Sequence, residues 1–242
     1  MADARDRILV ALDVESLTDA EALLDRLAGA VTGVKVGSQL FTAAGPAAVE
    51  AALKRGVRVF LDLKFHDIPN TVAGAVREAT RLGVFMLNVH AGGGRAMMRA
   101  PPGAAAEAAA EFKLPRPLCL GVTVLTSLDG RTLATELGVH GNVPAHVLRL
   151  ADHARAAGLD GCVASPHEIT LLRRALGSAW VIVTPGIRPA ATDDDQARVA
   201  TAAAAVRAGA DYLVIGRPIT GAPEPAAAVA TLVASLQSDG TP

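Results

Sequence analysis

The sequence predicts an α/β chain folded as a single (β/α)8 TIM barrel over residues 1–242. Three observations carry that prediction. Eight short apolar runs recur along the chain, each followed by a helical stretch of crossover length, the pattern of parallel strands joined by helices. Polar residues gather at the C-terminal ends of those runs, where a closed parallel barrel builds its site: Asp13, Lys35, Asp62, Lys64, Thr126, Arg188 and Arg217. No repeat or flexible linker divides the chain, and 51% hydrophobic residues supply one large core.

The elements follow in order. Residues 7–13 form a first strand ending in the Asp13 carboxylate. Thr18 and Glu21 make a T-x-x-E capping box, opening a helix with Leu23, Leu24 and Leu27 on one face. Residues 33–37, Gly-Val-Lys-Val-Gly, give a second strand with Lys35 inward between glycines that suit close backbone approach. A helix over 46–55 leads to a strand over 59–64, and Pro69 starts a helix running to Gly83. A fourth strand occupies 84–90; Gly92, Gly93 and Gly94 follow, then a helix expected to break at Pro101-Pro102 and to resume through the alanine-rich 104–110. The fifth strand covers 117–125, and the longer connection 127–142 holds one or two helical turns. Asn142 and Pro144 cap and open a helix to 157 before strand six at 160–164. Ser165 to Glu168 reads as another capping box. Strand seven at 180–184 precedes a polar loop, 186–196, and a helix to 208; strand eight at 212–216 and a helix over 225–236 complete the barrel.

The third strand carries the chemistry. Asp62 and Lys64 interrupt its apolar run two residues apart, so strand alternation puts them on one face, with Asp67 just beyond the strand end. Spacing alone leaves two readings open, a structural ion pair closing a barrel layer and a reacting pair. Only four of the 23 basic residues are lysines, and two of those, Lys35 and Lys64, sit in strand-like runs. An ammonium can yield its proton where a guanidinium cannot, which suits these two to proton donation. Strands seven and eight end in Thr184-Pro-Gly-Ile-Arg188 and Gly216-Arg217, a glycine and arginine set placed where this fold frequently binds phosphate. A phosphorylated small substrate is therefore expected, although pairing of Arg217 with the Asp run at 193–195 would account for that residue structurally.

Other classes are disfavoured. A net charge of −1 offers no footprint for nucleic acid or a membrane surface, and no apolar run is long enough to span a bilayer. The polar, acidic N-terminal residues do not read as a secretory signal, so a cytoplasmic location is expected. Cys119 and Cys162 lie in apolar runs without metal spacing and read as buried free thiols. The six histidines show no ligand spacing, His66 and His90 reading as hydrogen-bonded rim residues; no metal is expected, and Gly92–Gly94 lacks a dinucleotide fingerprint.

With these motifs in place, the chain resembles the orotidine 5'-phosphate decarboxylase family from end to end. The resemblance rests on Asp-Leu-Lys-Phe-His-Asp-Ile-Pro-Asn-Thr at 62–71, Ala-Leu-Asp at 11–13, Val-Lys-Val-Gly at 34–37, Asn-Val-His-Ala at 88–91, Val-Thr-Val-Leu-Thr-Ser at 122–127, Thr-Pro-Gly-Ile-Arg at 184–188, Asp-Asp-Gln at 194–196 and Val-Ile-Gly-Arg-Pro-Ile at 214–219. A bare D-x-K-x-x-D also occurs in sugar-phosphate relatives, whereas the run through Pro-Asn-Thr is far narrower. The resemblance implies cofactor-independent decarboxylation of orotidine 5'-phosphate to uridine 5'-phosphate, with Lys64 protonating C6 within an array of Lys35, Asp62, Lys64 and Asp67. It implies further that Asp13 and Lys35 hold the ribose hydroxyls, that Thr126 lies by the pyrimidine, and that Arg188, Gln196, Gly216 and Arg217 grip the phosphate. Asp67, Ile68 and Thr71 would reach into a partner subunit's site, making the protein a homodimer with shared active sites. The alternatives are a metal-dependent sugar-phosphate decarboxylase of the same barrel suprafamily and a catalytically silent phosphate-binding barrel; the latter is expected to have lost Lys64 or Asp62.

Overall fold

Eight parallel strands close on themselves in sequence order in the computed structural model, which describes residues 3–188 and 200–238. They are β1 (Ile8–Ala11), β2 (Gly33–Gly37), β3 (Arg58–Phe65), β4 (Met86–His90), β5 (Leu118–Val122), β6 (Gly161–Val163), β7 (Val181–Thr184) and β8 (Tyr212–Ile215). The helices are α1 (Leu17–Arg26), α2 (Ser38–Ala44), α3 (Ala47–Leu53), α4 (Pro69–Arg81), α5 (Gly94–Phe112), α6 (Gly130–Thr135), α7 (Val143–Ala156), α8 (Ile169–Leu176), α9 (Ala202–Ala208), α10 (Arg217–Thr220) and α11 (Pro225–Ser238). The predicted barrel is thus observed. No helix among the described residues is long and apolar enough to cross a membrane.

Strand alternation splits the core in two. Leu9, Ala11, Phe60, Met86, Leu120, Val183 and Val214 fill the barrel interior, while the opposite strand faces pack against the helices in a larger shell. Leu9 and Ala11, Phe60, and Met86 are inward positions, so two residues further along each strand the same face presents Asp13, Asp62 and Asn88. Register places Lys35 beside both Ala11 and Phe60, on the layer just beneath. A polar layer therefore lies directly on the apolar one.

Three local expectations are corrected. The first helix is capped by Ser16, whose hydroxyl accepts from the Asp19 N–H at 3.1 Å, so Thr18 lies inside α1 rather than capping it. Ser165 caps only a short 3-10 turn, accepting from the His167 N–H at 3.3 Å, and Glu168 is buried. Finally, α5 runs unbroken through Pro101 and Pro102. Each proline forfeits one intrahelical hydrogen bond, but its φ is compatible with helix, and the buried stripe Met97, Pro101, Ala105 and Ala108 keeps helical period through the site. Arg77 of α4 fastens the far end, donating twice to Glu111 at 2.6 Å and lying over the Phe112 ring.

Candidate active site

A cavity of about 480 Å³ opens at the C-terminal end of the barrel, floored by Ala11, Phe60, Val122, Val163 and Val214. Its polar lining includes Asp13, Lys35, Asp62, Lys64, Thr126, Arg188, Gly216 and Arg217. Eight of the residues singled out from the sequence therefore meet in one place.

At the heart of the cavity is a chain of alternating charge. Lys35, only 8% exposed, donates from Nζ to Asp13 Oδ1 at 2.8 Å and lies 3.6 Å from Asp62 Oδ2. Asp62 in turn accepts from Lys64 Nζ at 2.7 Å. Burying an ammonium is costly unless it is paired, and here each carboxylate offsets the burial of the lysine beside it. Gly37 makes room for this arrangement: a Cβ there would lie 2.7 Å from Lys35 Nζ.

Asp62 and Lys64 do converge, though not by simple alternation. The β3–β4 register runs Leu61 with Leu87 and then Phe65 with Val89, so four steps of β3 face two of β4. Lys64 absorbs the excess with a left-handed backbone, φ 54°, a conformation of order 1–3 kcal/mol above the ordinary regions for a residue with a side chain. Asn88, fully buried on β4, spans the irregularity: its side-chain oxygen accepts from the Lys64 N–H at 2.8 Å and its amide nitrogen donates to Asp62 Oδ1 at 2.7 Å. Sequence reasoning gave Asn88 no role. The one trace in the sequence is a polar amide between Leu87 and Val89, which gains meaning only with the strand register in hand.

The rest of the predicted set is more dispersed. Asp67, Ile68 and Thr71 are exposed on the loop and first turn after β3, outside the cavity lining, with Ile68 67% accessible. Asp67 Oδ1 accepts from the Ile68 N–H at 2.6 Å, and no cation of its own chain lies within ion-pair distance among the described residues. Just beyond the strand end, Asp67 therefore makes no ion pair with the Lys64 of its own chain, which pairs with Asp62. Arg188 is buried, and its N–H bonds to the Ala200 carbonyl at 3.0 Å, fixing where it enters the cavity wall. Gly216 caps α10 without a side chain, and Arg217 begins that helix. Gln196 and the Asp run at 193–195 lie outside the described residues.

His66 and His90 meet ring to ring at the rim, centroids 5.5 Å apart, and among the described residues neither ring has a side-chain hydrogen bond. Burial pushes the His90 imidazole below its ordinary range, and His66 and Lys64 add to the effect. Burial likewise raises both thiols, Cys119 and Cys162, to about 12, so they are inert apolar groups at neutral pH. Among the described residues there is no group of three or more metal-ligating side chains.

Comparison with known proteins agrees with this geometry. Residues 6–232 match the model of the orotidine 5'-phosphate decarboxylase / HUMPS family. The chain is 57% identical over 235 residues to orotidine 5'-phosphate decarboxylase of Moorella thermoacetica, covering 97% of this chain and 93% of that one. It is 53% identical to the enzyme of the same name from Halorhodospira halophila, covering 97% of each. The crystal structure of orotidine 5'-phosphate decarboxylase from Lactobacillus acidophilus superposes with a TM-score of 0.84 at 33% identity, covering 96% of this chain and 99% of that one. A barrel whose cavity brings together Asp13, Lys35, Asp62 and Lys64, matched along nearly its whole length by these relatives, belongs to the orotidine 5'-phosphate decarboxylase / HUMPS family.

Proposed function

We propose that this chain is a carboxy-lyase that converts orotidine 5'-phosphate to uridine 5'-phosphate and carbon dioxide in pyrimidine biosynthesis, without a cofactor. The observation that carries the reading is the Lys64 ammonium, 2.7 Å from Asp62, in the same cavity as Arg188 and Arg217. The C6–carboxylate bond breaks, carbon dioxide departs, and the bonding electron pair stays on C6. Lys64 stabilises that developing charge and then donates a proton to it, recovering its own from solvent. An ammonium already held by carboxylates needs no reorganisation at the moment of reaction, which is where such a site gains over water.

The remaining assignments rest on the resemblance to the family, and all but Gln196 of the substrate-binding residues named next line the cavity. Asp13 and Lys35 hold the ribose hydroxyls, Thr126 adjoins the pyrimidine, and Arg188, Gln196, Gly216 and Arg217 take the phosphate. Phosphate binding remote from the reacting carbon supplies energy that positions the ring. Asp67, Ile68 and Thr71 serve the second subunit of a homodimer; their exposure outside their own cavity supports that role. The protein acts as a single domain in the cytoplasm, with neither nucleic acid nor membrane as a partner.

Lys64→Ala tests the chemistry directly. Turnover, followed as loss of orotidylate absorbance, should fall by at least about 10²–10⁴-fold, while uridine 5'-phosphate still binds. Near-normal turnover would end the assignment. Dialysis against a chelator should leave the wild-type rate unchanged; loss restored by magnesium would instead favour a sugar-phosphate decarboxylase.

A further inference from the structure

The β3–β4 irregularity leaves the Lys64 N–H out of the regular strand ladder, and an N–H partly withdrawn from water needs an acceptor. Asn88 provides it with its side chain rather than its backbone. The same amide donates to Asp62 Oδ1, the oxygen that also accepts from Lys64 Nζ. Orientation of the amide is fixed by its partners, because a carboxylate can only accept and an N–H can only donate. One neutral side chain therefore clamps the left-handed backbone of Lys64 and the carboxylate that aims its ammonium. Asn88 lines no part of the cavity itself.

We propose that Asn88 is a positioning residue for decarboxylation, holding Asp62 and the Lys64 backbone in the one relative arrangement that presents the ammonium to the reacting carbon. This rests on the reading of Lys64 as proton donor. Asn88 is suited to the task because it has one donor end and one acceptor end, and being neutral it adds no charge to the array. Aspartate at this position would keep the acceptor for Lys64 N–H but set an oxygen against Asp62. Alanine would remove both contacts.

The test uses the full-length enzyme and the variants Asn88→Ala, Asn88→Asp, Asp62→Ala, Lys64→Ala and Asp62→Ala/Asn88→Ala. For each, kcat and KM are measured with orotidine 5'-phosphate, the Kd of uridine 5'-phosphate by calorimetry, and the folded fraction by circular dichroism. Both Asn88 variants should lose about 100-fold in kcat, the scale of a small misplacement of a reacting group, with KM and product Kd changed less than about threefold. In the Asp62→Ala background, Asn88→Ala should cost far less than it does alone, since much of what it positions is gone. The inference is overturned if both Asn88 variants keep kcat within about twofold, if their losses match a loss of folded protein or of product binding, or if the double variant shows the full product of the single losses. Normal turnover in Lys64→Ala would instead sink the underlying reading. Should Asn88→Ala fail to fold, Asn88→Asp, nearly identical in shape, decides the question through its split between kcat and KM.

Discussion

At Gly37 a missing side chain decides where a charge can sit. A Cβ would lie 2.7 Å from Lys35 Nζ and 3.4 Å from Asp13 Oδ1, so any larger residue displaces the ammonium. Because the displaced atom is the end of a flexible chain, the fold can yield at little cost while the charge array cannot. Gly37→Ala should therefore lower kcat/KM by about 10-fold or more, the scale of a misplaced catalytic group, with a thermal midpoint within a few degrees of wild type. A parallel fall in both, seen by calorimetry and steady-state kinetics, would place the role of Gly37 in folding. Single residues of this kind were legible in part. Lys35 and Lys64 stood out because charge inside an apolar strand needs a reason, and the cavity supplies it. Asn88 did not, because a neutral amide becomes informative only once the strand register is known. The left-handed backbone of Lys64 was equally invisible, since the alternation rule predicts the right face for the wrong conformational reason.

Elements were read well where periodicity and punctuation agreed. The strand Gly33–Gly37 was expected at its observed bounds, and α7 begins at the Asn142 cap, whose side chain accepts from the Ala145 N–H at 2.8 Å. Shorter helices escaped: α2 buries only Leu40 and starts after Gly37 with no side-chain cap, so neither apolar period nor cap marks it. At the opposite end of the barrel, paired clips recur that have no local sequence signature. Asp160, before β6, accepts from the Cys119 N–H at 2.7 Å and from Arg116 at 3.1 Å; Asp211, before β8, accepts from the Ile182 N–H at 2.8 Å and from Arg173 at 2.7 Å. Between these clips β6 and β7 approach closely at Gly161, where a Cβ would collide with the Val181 carbonyl and lie 2.6 Å from Val181 Cβ. Here the obstacle is backbone, which cannot swing aside. Gly161→Ala should destabilise the barrel by about 1–3 kcal/mol or more, read as a lower urea midpoint at unchanged slope. An unchanged midpoint would show that the two strands separate without cost.

Across the whole molecule, the barrel was legible because eight repeats of one pattern outweigh errors in any one of them, whereas association between chains leaves no comparable period. What bears on it is the exposed surface instead. Ile68, Leu125 and Leu137 are large apolar residues 67%, 37% and 56% exposed, and Asp67 beside Ile68 has no cation of its own chain within ion-pair distance among the described residues. These features support an isologous dimer in which each Asp67 completes the neighbouring Lys64 site. The arrangement has a quantitative consequence. Lys64→Ala and Asp67→Ala, each expected to be inactive alone, are unfolded together in equal amounts and refolded. Every mixed dimer then carries one site with both defects and one with neither. Random pairing makes about half of the dimers mixed, so roughly a quarter of all sites should regain wild-type turnover. If Asp67 serves its own chain, no mixed dimer contains an intact site, and activity stays at the level of the separate variants. Sedimentation of the refolded mixture, run alongside the assay, separates that outcome from a failure to dimerise, because a monomeric product would leave activity low for want of any partner.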